Sequence, residues 1–184
     1  MAVGFVRPAR PEDVAEISRI QVETWRVAYR RLLPRHVLDG LDAAEVAASW
    51  EAAVASPPSE HHRVLVAIEQ GPEASYVVGF GAFGPADEDH IVPDEVLPGS
   101  VAAITELLVE PRWGRRGHGS RLLAAAVDLW REDGVTGALA WVFDQNPPMV
   151  KFLTSAGWEP DGNTRALDVD DMLVPQSRYF TALV

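Results

Sequence analysis

The stretch VEPRWGRRGHGSRLL, residues 109–123, decides the fold of this chain. It starts at the end of an apolar, β-rich run, Val101–Val109, and it ends inside a helical pattern. Between the two lies a turn with three glycines, Gly114, Gly117 and Gly119. Glycines let the backbone approach an oxyanion closely, and the free N–H groups and the dipole at a helix start attract negative charge. The stretch therefore predicts a pyrophosphate-binding turn; the alternative is a tight strand-to-helix turn without a ligand.

Other phosphate-binding and nucleophile motifs do not match this stretch. Its spacing is neither the GxxxxGK[ST] of P-loop nucleotidases nor the GxGxxG of dinucleotide folds, and Ser120 lacks the GxSxG frame of a nucleophile elbow. The stretch also gathers four arginines, Arg112, Arg115, Arg116 and Arg121. Because the whole chain carries a net charge of -11, general binding to nucleic acid or to an anionic membrane is disfavoured. The arginine cluster instead indicates a small, localised anion.

Strand and helix patterns lie on both sides of this stretch, and together they predict an α+β (mixed α/β) domain. The helical period after the turn brings four residues to one face, Leu122, Ala126, Leu129 and Trp130. β-rich runs predict strands over residues 3–7, 63–68, 75–83, 101–109 and 138–143, with two more near the C-terminus. Further helices are predicted from Pro11, from the capping residue Asp42 to Ser56, and from Pro147 to Ala156.

Length and composition indicate one globular domain over residues 1–184. Of the 184 residues, 47% are hydrophobic and 23% charged, which excludes disordered and collagen-like classes. The absence of cysteine excludes disulfides, thiolate zinc sites and iron–sulfur clusters, and it fits a reducing cytoplasm. No apolar run approaches about 18 residues, so we expect a cytoplasmic protein without a membrane segment. His61 and His62 lack metal-ligand spacing, and we expect no metal site.

The glycine turn resembles the acyl-CoA-binding motif of the GNAT superfamily of N-acetyltransferases, which is written Q/R-x-x-G-x-G/A. Gly117 and Gly119 match its two small positions. Its first position falls on Gly114 rather than on Gln or Arg. This departure leaves the pyrophosphate contact of that side chain to backbone groups and to Arg115 or Arg116.

A second motif strengthens the resemblance. Residues 140–162, AWVFDQNPPMVKFLTSAGWEPDG, are similar to the family's N-x-x-A-x-x-F-Y-x-x-x-G-F pattern. Four residues fall into register with it: Asn146, Phe152, Gly157 and, at its last aromatic position, Trp158. Two positions depart from the pattern, with Met149 in place of Ala and Leu153 in place of Tyr. The first helix also resembles family members that carry W-R-x-x-Y, here Trp25, Arg26 and Tyr29. The resemblance is sharp from Ile104 to Gly162 and only topological elsewhere.

The resemblance implies a single-domain GNAT-like fold, with a central, mostly antiparallel twisted sheet flanked by helices, and acetyl-CoA as co-substrate. Backbone groups of Leu107, Leu108 and Val109 would hold the pantetheine and the acetyl carbonyl. The phosphates would meet six residues of the turn, Arg115, Arg116, Gly117, His118, Gly119 and Ser120. Asn146 would bind the pantetheine arm or an ordered water, and Phe152 is carried over with the same motif.

Glu106 is the candidate general base, because it is the only ionisable residue inside the apolar run VAAITELLV. Burial would raise its pKa toward neutrality; the alternative is an edge or solvent-facing position, since strand alternation cannot be fixed from sequence. Leu153 cannot donate a proton to the leaving thiolate. That proton is expected from Tyr29, Tyr179 or water, or it is not needed, because a thiol pKa of about 8.5 makes the thiolate a tolerable leaving group.

The resemblance implies an acyltransferase that moves acetyl from acetyl-CoA to a primary amine by direct attack. The alternatives are a non-catalytic acyl-CoA-binding or sensing domain and an interaction protein on the same scaffold. The acceptor is a small-molecule amine or a protein N-terminus or lysine, and a homodimer is left open. We expect five loop carboxylates to border the acceptor entrance and concentrate a cationic amine, the alternative being a merely solvated loop: Asp87, Glu88, Asp89, Asp94 and Glu95.

Overall fold

The computed structural model describes residues 3–183, and its centre is one seven-stranded sheet. The strands are β1 Val3–Pro8, β2 Arg63–Gln70, β3 Ser75–Pro85, β4 Val101–Val109, β5 Gly137–Phe143, β6 Glu159–Val169 and β7 Met172–Ala182. Their spatial order is β1-β2-β3-β4-β5-β7-β6. Every neighbouring pair is antiparallel except β4 and β5, which run parallel.

Within residues 3–183, five α-helices cover the two faces of the sheet. They are α1 Val14–Ala28, α2 Arg35–Asp39, α3 Ala43–Ala55, α4 His118–Glu132 and α5 Pro147–Ser155. On one face, Ile17 and Ile20 of α1 pack on Val66 and Phe80, and α3 packs against α1. On the other face, α4 and α5 bury a larger cluster of apolar side chains, including Leu122, Ala126, Trp130, Leu153 and Trp158. Apolar residues at helical spacing therefore anchor the helices on both sides.

The α+β class and the mostly antiparallel sheet flanked by helices are confirmed. The carboxylate of Asp42 caps α3 as expected, because its Oδ1 accepts the N–H groups of Ala44 at 2.7 Å and Glu45 at 3.3 Å. The helix predicted from Pro11 begins as a 3-10 turn, Pro11–Asp13, and becomes α-helical at Val14.

The sequence prediction missed α2. This helix has five residues, too few to display a helical period, and it is held by tertiary packing. Its Leu38 is buried in a small cluster with Tyr29, Leu32 and Leu33. No helix within residues 3–183 is both long and apolar enough to cross a membrane.

One interruption of the sheet creates the candidate site. β4 and β5 pair only at their starts, where Val101, Ala102 and Ala103 lie opposite Gly137, Ala138 and Leu139. β3 stays paired with β4 as far as Val109, and β7 stays paired with β5 as far as Phe143. The second halves of β4 and β5 therefore border a gap inside the sheet.

Candidate active site

The gap presents backbone groups of β4 to any molecule that enters it. The N–H of Glu110 donates to the carbonyl of Val78 on the β3 side, at 2.9 Å. Successive residues of a strand direct their backbone groups to alternate sides. Leu108 therefore faces β3, like Glu110, whereas the backbone groups of Leu107 and Val109 face the gap. Of the three residues expected to hold pantetheine through their backbones, Leu107 and Val109 face the gap, and the N–H of Leu107 already donates to Glu106 Oε1.

A cavity of about 590 Å³ passes through this gap. From the α1 face it is lined by Trp25, Tyr29, Glu106, Trp141, Phe143, Arg165 and Gln176. From the α5 side it is lined by Asn146, Met149 and Leu153. The cavity thus joins the predicted base to the helix of the second motif, which are about 40 residues apart in sequence.

The Glu106 carboxylate lies in this cavity, held by two hydrogen-bond donors. The indole Nε1 of Trp25 donates to its Oε2 at 3.2 Å, and the N–H of Leu107 donates to its Oε1 at 3.1 Å. Burial raises the pKa of Glu106 to about 7, although the two donors act in the opposite direction. A carboxyl group with this pKa can accept and release a proton near neutral pH. β4 is an interior strand, and Glu106 faces the cavity rather than a sheet edge.

The two candidate proton donors occupy different environments. Tyr29 lines the cavity, and its ring contacts Trp25 at 5.6 Å and Phe143 at 5.3 Å between centroids. Burial is the main cause that raises the pKa of Tyr29, and the charge of Glu106 raises it further. The Tyr29 hydroxyl therefore stays protonated. Tyr179 instead lies opposite Ala140 on β7 and is buried in the core against α4 and α5. The structure therefore brings Tyr29, and not Tyr179, to the Glu106 side of the gap.

The glycine turn forms a concave run of backbone N–H groups before α4. Arg115 and Gly117 both have left-handed backbone conformations, with φ of 62° and 82°. The first bond of the helix runs from the N–H of Arg121 to the carbonyl of Gly117, at 3.0 Å. The N–H groups of His118, Gly119 and Ser120 precede that bond, so they are available to an anion.

Side chains below the turn hold it in place. His118 is only 1% exposed, and its Nε2 lies 2.9 Å from the carboxylate of Glu69 at the end of β2. Arg116 lies 3.5 Å from the same carboxylate, and its guanidinium covers the Trp113 ring at 4.9 Å. The buried imidazole of His118 therefore points away from the turn surface, where only its backbone N–H is available to an anion. The sequence analysis missed Glu69, although a lone carboxylate that ends the apolar run RVLVAI was a usable signal.

Gly119 opens the turn toward the second motif. A Cβ atom at this position would meet the Phe152 ring at 3.4 Å and Val109 Cγ2 at 3.8 Å. A methyl group fits there, whereas a longer side chain has to enter the groove between the turn and α5. Phe152 thus lies beside the predicted phosphate site, and Asn146, the residue before α5, lines the cavity.

The acidic loop between β3 and β4 borders the cavity only in part. Asp87, Asp89 and His90 line it. Glu95 instead pairs with Arg178, which holds the pKa of that carboxyl below its ordinary value. Two of the five predicted rim carboxylates are therefore at the cavity, and one is committed to an internal ion pair.

Trp141 and Arg165 are cavity residues that the sequence analysis did not identify. The Trp141 indole donates to the carbonyl of His90 at 2.9 Å, and the Arg165 guanidinium packs on its ring at 4.3 Å. β5 contributes Trp141 and β6 contributes Arg165, so no local motif contains both.

Comparisons with known proteins identify relatives of this chain. The acetyltransferase (GNAT) family matches it over residues 14–158. The uncharacterized N-acetyltransferase YuaI of Bacillus subtilis (strain 168) is 30% identical over 145 residues, which cover 79% of this chain and 75% of YuaI. An N-acetyltransferase from Staphylococcus aureus Mu50 has the same fold, with a TM-score of 0.70 at 16% identity over 99% of each chain. The acetyltransferase yncA of Salmonella typhimurium, solved with acetyl-CoA, has a TM-score of 0.66 at 19% identity, over 98% of this chain and 94% of its own.

Proposed function

Because the chain belongs to the GNAT family of acetyltransferases, we propose that it transfers acetyl from acetyl-CoA to a primary amine by direct nucleophilic attack. The observation that carries this proposal is the Glu106 carboxylate, which lines the cavity at the gap between β4 and β5. A base at this point meets an amine entering from the α1 face and a thioester entering from the α5 side.

Acetyl-CoA would bind along the route from the glycine turn to the gap. Its pyrophosphate would accept N–H bonds from His118, Gly119 and Ser120, with Arg115 and Arg116 nearby. Its pantetheine arm would follow the free backbone edge of β4, past Leu107 and Val109, with Asn146 and Phe152 on the other side. Support comes from the left-handed turn before α4 and from the presence of acetyl-CoA in the Salmonella relative.

The reaction needs a neutral amine, although most amines arrive protonated because a lysine-like pKa is about 10.4. Glu106 would take that proton, directly or through one water. The nitrogen lone pair then attacks the thioester carbonyl and the carbon–sulfur bond breaks. The nitrogen loses its second proton, the CoA thiolate takes up one proton, and the products are the acetamide and free CoA. The backbone N–H of Val109, which faces the gap, would stabilise the oxyanion.

Protonation of the CoA thiolate would fall to Tyr29 or to water. Tyr29 lines the same cavity, and its raised pKa keeps its hydroxyl protonated throughout the physiological range. Leu153, where many relatives of the family carry a tyrosine, is fully buried and cannot serve. Because a thiolate with a conjugate pKa of about 8.5 leaves readily, the missing tyrosine lowers the rate without preventing the reaction.

An acceptor screen read by free-thiol release tests this function. The panel contains small amines, diamines and short peptides with a free N-terminus. Calorimetry with acetyl-CoA runs in parallel, because binding without turnover for any amine would identify a non-catalytic acyl-CoA-binding protein. A protein that binds no acetyl-CoA and releases no thiol would refute the proposal. We expect a cytoplasmic enzyme, which fractionation of the source cells checks.

A further inference from the structure

Two arginines pack against the Trp141 ring, and only one of them is neutralised. Arg178, at 5.6 Å from the ring, is 3% exposed and forms ion pairs with Glu95 and with Asp161, the latter at 2.7 Å. Arg165 lies closer to the ring, at 4.3 Å. Within residues 3–183, no carboxylate oxygen is within ion-pair distance of Arg165. One cation beside the cavity is thus paired, and the other forms no ion pair with the described residues.

The contacts that Arg165 does make fix its orientation without neutralising it. Its Nε donates to the Gln176 side-chain oxygen at 2.7 Å, and its Nη1 donates to the carbonyl of Asp89 at 2.7 Å. Both acceptors are neutral. Burial lowers the pKa of Arg165, and the charge of Asp89 offsets this only in part, as expected for a cation that loses water without gaining a partner. Nη2 has no protein hydrogen-bond partner in the described part of the chain.

The sheet directs this guanidinium into the same cavity as Glu106. Arg165 lies opposite Gln176, and Gln176 lies opposite Phe143. Residues directly opposite in antiparallel pairs share a face, so all three side chains lie on the face that α1 covers. β5 and β7 separate β4 from β6, and strands are spaced about 4.8 Å apart. Arg165 therefore lies across the cavity from Glu106. The space between the two side chains is too wide for direct contact and suits a small molecule.

We propose that Arg165 binds an anionic group of the acceptor, and that the acceptor is a small primary amine that also carries a carboxylate or phosphate. This inference rests on the proposed function and names its substrate class. The amine faces Glu106, at the end of the cavity away from Arg165. The anion lies against Nη2 of Arg165, which can donate charge-assisted hydrogen bonds to a carboxylate or phosphate oxygen. A bare anion satisfies only the Arg165 end of the cavity, whereas an amine with an anionic group satisfies both ends.

Matched acceptor pairs test the proposal. Thiol release is measured with ω-amino carboxylates of increasing length, with the carboxamide of each, and with aminoalkyl phosphates that distinguish the two anion types. In the wild type we expect kcat/KM for the anionic member to exceed that of its carboxamide, mainly through KM. Arg165→Gln should reduce this preference by roughly 10- to 100-fold, and Arg165→Lys should retain part of it. Arg35→Gln, which removes an exposed charge outside the cavity, should leave the preference unchanged.

A second measurement needs no variant. A short alkanoate without an amine should compete with the acceptor in the wild type, and the alcohol of the same length should not. The inference is overturned if amines are acetylated with no preference for the anionic member and no competition by alkanoates. If no amine of either kind releases thiol although acetyl-CoA binds, the proposed function itself fails, and the inference fails with it.

Discussion

Replacing Glu106 with glutamine removes the proposed base while keeping its size and most of its contacts. The carboxylate accepts bonds from Trp25 and Leu107, and glutamine can still accept one of them through its carbonyl. Since a positioned general base contributes roughly 10²–10⁴-fold, we expect kcat to fall by that factor while acetyl-CoA affinity changes little. With a pKa of about 7, roughly a tenth of wild-type Glu106 is ionised at pH 6 and about nine tenths at pH 8.

The assay is thiol release at saturating acetyl-CoA between about pH 5.5 and 9. The acceptor amine titrates as well, but its titration is common to both proteins, so the ratio of wild-type to Glu106→Gln rates isolates the base. This ratio should rise about tenfold per pH unit below 7 and level off above it. Glu51→Gln, which changes an exposed carboxylate on α3, should follow the wild type throughout. A ratio near one at every pH would refute the assignment of Glu106 as the base.

The same substitution, which should lower activity, should raise the stability of the folded protein. Because folding raises the pKa of Glu106 from 4.5 to about 7, the protonated form is favoured in the folded state, and its ionisation opposes folding. At about 1.36 kcal/mol per pKa unit, this difference amounts to at most about 3 kcal/mol. Glu106→Gln should therefore be more stable than the wild type at pH 8, and the gain should vanish as the pH falls to 4.5. Urea unfolding at both pH values measures it, and a gain that does not depend on pH would contradict the burial argument.

Three further predictions concern the rest of the site. Gly119→Glu should abolish acetyl-CoA binding in calorimetry, whereas Gly119→Ala should weaken it little because a methyl group has room beside the Phe152 ring. Equal acetyl-CoA affinities in the two variants would show that the phosphates do not bind at this turn. Tyr29→Phe should lower kcat by about tenfold or less with unchanged acetyl-CoA affinity, since water can also protonate the thiolate, and a wild-type kcat would exclude Tyr29 as the donor. Neutralising Asp87, Glu88 and Asp89 together should lower kcat/KM and its dependence on salt, and unchanged values for both would leave the loop without a part in acceptor selection.

Local features of the site could be predicted from the sequence because they depend on neighbouring residues. The glycines of the turn, the apolar face of α4 and the cap at Asp42 each act within one or two helical turns. Each of these features depends only on residues close together in sequence. The glycines provide freedom in φ, the apolar residues follow the helical period, and the Asp42 side chain reaches nearby backbone N–H groups. The structure bears out these local features, and with them the fold.

Features that depend on pairing between distant strands could not be predicted in the same way. Tyr29 and Tyr179 were equal candidates in the sequence, and the pairing of β7 with β5 buries Tyr179 on the side away from Glu106. Strand alternation has a period of two, so a shift of one residue exchanges the faces, and no local signal sets the register. The same rule separates Leu108 from the gap, although the sequence analysis grouped it with its neighbours.

The sequence by itself determined the order of the strands and of the four longer helices, the glycine turn and the single carboxylate in the apolar run, because short-range sterics and hydrophobic period act on adjacent residues. Only the tertiary structure decided that β4 and β5 separate after three pairs, that Glu106 faces the resulting cavity, and that Arg165 reaches it without an ion pair to the described residues. Those outcomes depend on which strands become neighbours and in what register. The chain adopts the strand pairing and register that minimise the free energy of the whole packed structure. They therefore cannot be predicted from any one segment of the sequence.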